Sequence, residues 1–137
     1  MSKVTPQMAD WLLYNLPWLK AHVNSIEPKV STSIVLFVPR STVGSPIEDM
    51  AVRRAEISVV IDAVERGLRA LHPDDRTVCR MKYRAHMTRR EVARKAFLSE
   101  SSVARKLTRI RDTIAQHVGQ LEGNILTHFW SEIRAVS

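Results

Sequence analysis

Apolar and polar residues along this chain recur mostly at helical intervals, and the clearest run ends in the second half. Val103, Leu107, Ile110 and Ile114 follow one another at steps of four, three and four, which places them in one stripe on a helix. Upstream, Thr88 is followed three residues later by Glu91, the spacing of a reciprocal capping box at a helix start. Val92, Ala93 and Ala96 give that short helix a small apolar face, and Phe97-Leu98-Ser99 is the predicted turn. Ser99 reads as a second N-cap, its hydroxyl accepting from the amide of Ser101 or Ser102. Pro73, with Asp74 and Asp75 beside it, opens the helix before this pair in the favoured way.

The longest predicted helix runs from Ile47 to Leu71. Met50, Ile57, Val64 and Leu71 recur every seven residues, with Ile61 and Leu68 four after Ile57 and Val64. That is a heptad-like seam, although Val59 and Val60 widen it toward a broad globular contact. Gly67 weakens the helix near its end. Nearer the N-terminus, Met8, Trp11, Leu12 and Leu16 share a helix face that Pro17 should end or kink, with a second short helix after it. Trp11, Tyr14 and Trp18 read as core or interface residues. Ile34 to Val38 is apolar and β-branched, suited to one strand or to an extended segment laid across helices. Pro39 to Pro46 carries the breakers of a loop. Gly119 should end the helix that carries the stripe. Ile125, Phe129, Trp130 and Ile133 then make a short amphipathic helix that needs a surface to pack on, the N-terminal half or a second copy.

These elements predict an all-α chain with three parts. Residues 1–71 form a helical N-terminal region, with a loop at 39–46, that serves in oligomerisation. Residues 72–119 form a helix-turn-helix domain, and 120–137 a C-terminal amphipathic helix. The seam, the aromatic helices and the Phe129-Trp130 tail together hold more apolar surface than one small helical unit buries, so a homodimer or higher oligomer is expected.

Charge changes the picture most between Arg76 and Arg111. Twelve Arg and Lys residues face only Glu91 and Glu100 there, so the segment is more positive than the whole chain, which carries +7 among 137 residues. A charge run is ordinarily a solvated helix face. On a capped helix pair it reads as a phosphate-binding footprint, and double-stranded DNA is the expected partner. Ser101, Ser102, Arg105, Lys106 and Arg109 lie off the apolar stripe and are the expected groove-facing set. Arg89, Arg90 and Arg94 fall on the first helix of the pair, which crosses the sugar-phosphate backbone in such modules. Arg80 and Arg84, one turn apart on the preceding helix, extend that track.

Catalytic and metal chemistry find no foothold in the sequence. His22, His72, His86, His117 and His128 lack metal-ligand spacing, four glycines leave no phosphate loop, and the serine cluster has no nearby histidine. Neither an enzyme nor a cofactor is expected. Cys79, the only cysteine, excludes an internal disulfide and reads as a small buried hydrophobe. The N-terminus lacks the apolar core of a signal peptide and no stretch is long enough to span a membrane, which predicts a cytoplasmic protein.

Leu71-His72-Pro73, Val78-Cys79-Arg80-Met81, Tyr83, and the capped pair around Thr88-Arg-Arg-Glu-Val-Ala and Leu98-Ser-Glu-Ser-Ser-Val resemble region four of bacterial sigma factors. A short chain with this module behind a separate helical half is similar to the phage late-gene activators of the ArpU/RinA type. The resemblance covers roughly residues 47–118. It implies a transcription regulator that reads the major groove with helix 100–114 and can contact bacterial RNA polymerase. Two alternatives fit the same features. One is a small-terminase-like DNA-packaging protein, although that class usually carries its DNA-binding module N-terminally. The other is a sigma-like module that engages polymerase without reading bases.

Overall fold

The structure is a computed structural model that describes residues 4–25 and 46–136. The apolar run at Ile34–Val38 and most of the loop read at 39–46 lie outside those residues. The described residues form six helices and no strand: α1 (Pro6–Ser25), α2 (Pro46–Ala70), α3 (Pro73–Tyr83), α4 (Arg89–Ala96), α5 (Glu100–Gly119) and α6 (Gly123–Val136).

α5 is the axis of the fold. Its stripe of Val103, Leu107, Ile110, Ile114 and Val118 is buried along the full helix. α1 and α2 pack on it, as do α3 and α4, while α6 lies back against α2. The buried side chains, from Ala9 on α1 to Ile133 on α6, belong to one hydrophobic cluster. Each Leu or Ile fully removed from water there contributes about 1.5–3 kcal/mol. The heptad-like seam of α2 is consumed within this cluster, since Ile57, Ile61 and Val64 are buried together with Val60 and Ala63. It therefore acts as a broad globular contact, the alternative that Val59 and Val60 had left open. Gly67 has a positive role there. A Cβ at this position would sit 2.8 Å from Ile114 Cδ1 and 3.4 Å from Ile114 Cα, so glycine lets α2 and α5 approach closely.

One expectation is corrected: Pro17 neither ends nor divides the first helix, and α1 runs through it as twenty residues. Proline has no N–H, so the carbonyl four residues back, on Leu13, loses its helical donor. Arg84 replaces it by donating from Nη1 to Leu13 O at 3.1 Å. Leu12, Leu13 and Leu16 before the proline and Leu19 and Val23 after it are all buried. The apolar face is thus continuous across Pro17 and holds both halves of α1 against the core.

Side chains of α3 tie the elements together. His72 caps its start, Nδ1 accepting from the Asp74 amide at 3.2 Å. Arg76 donates to the carbonyls of Leu71 at 3.1 Å and Arg69 at 2.9 Å, satisfying groups at the end of α2 where no glycine cap occurs. The Tyr83 hydroxyl donates to Asp10 Oδ1 on α1 at 2.6 Å, and Arg111 Nε of α5 reaches the same oxygen at 3.1 Å. Burial, then the Asp10 carboxylate, pushes the Tyr83 hydroxyl well above its ordinary pKa, so it remains a donor. Tyr83 also meets Tyr14 edge-on with centroids 4.6 Å apart. α6 folds back as its amphipathic pattern required, burying Leu126, Phe129 and Ile133, with Trp130 against Trp11 at 5.5 Å.

No helix among the described residues is long and apolar enough to cross a membrane. Among them, no group of three His, Cys, Asp or Glu side chains could hold a metal ion.

Candidate nucleic-acid interface

The capped pair folds locally as its side chains dictate. Thr88 Oγ1 accepts from the Glu91 amide at 3.2 Å, and Glu91 Oε1 accepts from the Thr88 amide at 3.1 Å, so both halves of the capping box are made. That backbone donor holds the Glu91 carboxyl below its ordinary pKa. α4 then ends at Phe97, whose backbone is left-handed at φ 57° and ψ 43°. The Phe97 and Leu98 amides both turn back to the Ala93 carbonyl, closing the helix end. Ser99 begins α5, its Oγ accepting from the Ser102 amide at 3.1 Å while donating to Ser102 Oγ at 2.9 Å.

The ten residues expected at the interface separate into two groups. Arg89, Arg90 and Arg94 on α4, Ser101 and Arg105 at the start of α5, and Arg80 on α3 are exposed. Arg89, Arg94 and Arg80 have no hydrogen bond or ion pair among the described residues. Arg90 Nε stands 4.0 Å from Glu100 Oε2, a loose bridge between α4 and α5 with both side chains largely in solvent. Arg105 Nη2 donates to Ser102 Oγ at 3.3 Å, which draws the guanidinium toward the N-terminal end of α5.

Arg84, Lys106 and Arg109 are engaged inside the molecule. Arg84 serves the Leu13 carbonyl described above. Arg109 forms a two-pronged pair with Asp75 of α3, Nε to Oδ2 and Nη2 to Oδ1, both at 2.8 Å. Lys106 Nζ adds a third bond to Oδ1 at 3.3 Å. Asp75 is the one buried charged residue among those described, and the Arg109 hydrogen bonds hold its carboxyl below the usual range. Asp74, its neighbour, is exposed. Ser102, half-buried, is shared between the cap and Arg105. Exposed cationic groups are thus gathered on α4 and the first turns of α5, whereas further along α5 Lys106 and Arg109 are matched to α3 and Arg111 to α1.

The sequence reading missed Asp75 as the partner of Lys106 and Arg109. Positions three apart on a helix lie side by side, so one carboxylate can reach both, but no spacing in the sequence placed Asp75 beside them. Phe97 was read as a turn residue, but nothing in its spacing indicated that it would be 95% exposed.

Comparison with known proteins yields no match, whether with family models, curated sequences or solved structures.

Proposed function

We propose that this chain is a sequence-specific double-stranded DNA-binding transcription regulator, in which α4, the Phe97-Leu98-Ser99 turn and α5 act as a helix-turn-helix. The observation that carries the reading is the cluster of Arg89, Arg90, Arg94 and Arg105, exposed on two capped helices joined by a short turn, with only Glu91 and Glu100 as acids in the first turns of the pair. Exposed cations that are unpaired or only loosely paired among the described residues suit a polyanion, and DNA phosphates occur at fixed spacing along a groove that accepts one helix. In this proposal the first turns of α5 enter the major groove, Arg105 reads a base edge, and α4 crosses the sugar-phosphate backbone.

The resemblance to sigma region four and to phage late-gene activators supports activation of late genes with bacterial RNA polymerase as a protein partner. The proposal is of a binding protein rather than an enzyme. It includes a second copy on a second half-site, about one helical turn or roughly 34 Å away. Trp18 and Val52, both exposed large side chains, are the surfaces from which such pairing would be built.

Selection of bound duplexes from a random pool tests the proposal. One enriched motif is expected, and Arg105→Ala should relax preference at one base pair at a cost of about 1–3 kcal/mol. A pool that emerges without enrichment refutes sequence-specific reading. Equal weakening of specific and random DNA by Arg105→Ala makes that arginine a phosphate contact instead.

A further inference from the structure

Arg76, Arg80 and Arg84 recur every four residues along α3 and border one cleft where α3 meets α1 and α2. The cleft measures about 250 Å³, and Leu13, Leu68, Cys79 and Tyr83 complete its lining. Among the described residues no acidic side chain lines it. We propose that this cleft binds a small amphipathic anion, a phosphate or carboxylate head among the arginines with a short apolar body on the floor.

Two of the three arginines are fixed before any ligand arrives. Arg76 is pinned by the Leu71 and Arg69 carbonyls, and Arg84 by the Leu13 carbonyl that Pro17 leaves without a donor. Carbonyls orient a guanidinium without cancelling its charge, so both arginines keep a full positive charge and unused N–H groups. Arg80, between them, is exposed and has no partner among the described residues. Their field reaches the floor. Burial pushes the Cys79 thiol up to about 11, while Arg84 and Arg80 pull it the other way.

A concave, largely apolar surface with a few converging charged groups is the usual form of a small-ligand site. A bare phosphate would use the rim and leave the floor wet. A neutral apolar molecule would leave three charges unmatched. The arrangement therefore selects a ligand with both parts, and of its three arginines only Arg80 is shared with the proposed DNA contacts.

Titration calorimetry on the full chain with hexyl phosphate, inorganic phosphate and hexanol tests the site. Hexyl phosphate should bind one site at least tenfold more tightly than inorganic phosphate, and hexanol should give no binding. Arg80→Ala should weaken hexyl phosphate at least tenfold, and because the Arg80 side chain makes no hydrogen bond or ion pair among the described residues the variant should melt like the parent. Arg66→Ala, an exposed arginine of α2 outside the cleft, should leave binding unchanged. Hexyl phosphate no tighter than inorganic phosphate would overturn the proposal, as would equal losses in the Arg80 and Arg66 variants or no binding at all.

Discussion

Phe97 combines two costs at one position: a left-handed backbone at φ 57° and a side chain 95% exposed. An L-residue with a Cβ is strained there, and glycine is not. Because the ring buries almost nothing, removing it sacrifices little packing. Phe97→Gly should therefore stabilise the fold by about 0.5–1 kcal/mol, after the greater freedom of glycine in the unfolded chain is deducted. Thermal unfolding should show a gain of a few degrees, and a loss would mean that the ring packs in solution. Asp75 is the opposite case, a buried carboxylate whose value lies in its partners. Its folded-state pKa is depressed below the ordinary 3.8, chiefly by the Arg109 hydrogen bonds. The stability it contributes is thus present above pH 3.8 and lost as pH falls through the lower folded-state value. Breaking a fully buried ion pair costs more, but the Arg109 side chain is 60% exposed, so Asp75→Asn should cost about 2 kcal/mol at neutral pH. Denaturant titrations across pH should find the gap between parent and variant narrowing below pH 3.8. A constant gap would remove the assignment.

At the scale of elements, α1 depends on a side chain from another helix. Leu13 O lacks its donor because of Pro17, and Arg84 supplies one at 3.1 Å. Arg84→Ala should cost about 1–2 kcal/mol, the usual effect of leaving a partly buried acceptor unsatisfied. In a Pro17→Ala background the helix restores its own bond, and the same Arg84→Ala change should cost much less. Chemical denaturation of the four variants closes this double-mutant cycle. Equal costs in both backgrounds would show that Arg84 stabilises through something other than the orphaned carbonyl. The capped pair behaves differently, because Thr88, Glu91 and Ser99 each act within a few residues along the chain. Their geometry followed from spacing alone.

At the scale of the whole molecule, internal pairing decides how much of the basic segment is available to a partner. Arg84, Lys106 and Arg109 are committed to the fold, which leaves Arg80, Arg89, Arg90 and Arg94 as the proposed phosphate contacts beside Arg105 as base reader. About four phosphate contacts give a slope of roughly −4 for log affinity against log salt. Arg90→Ala should weaken all sequences alike and make the slope shallower by about one unit. Binding measured at several salt concentrations checks both numbers, and a flat dependence would exclude phosphate contact.

What the sequence determined by itself is the local part of this protein. The helices after the first, the two caps, the turn at 97–99, the stripe of α5 and the amphipathic pattern of α6 each depend on residues within a few turns of each other. Periodicity and capping chemistry report such features directly. Tertiary structure alone decided the rest, because each remaining feature joins residues far apart in the chain. Pro17 is accommodated within α1 because Arg84 lies beside Leu13 and the apolar face on both sides of the proline is buried. Lys106 and Arg109 turn to α3 only because Asp75 is buried within their reach. The seam of α2 became core, rather than a free surface, because α1, α5 and α6 cover it. A side chain's exposure and partner are set by what packs over it, and one-dimensional spacing carries no record of that.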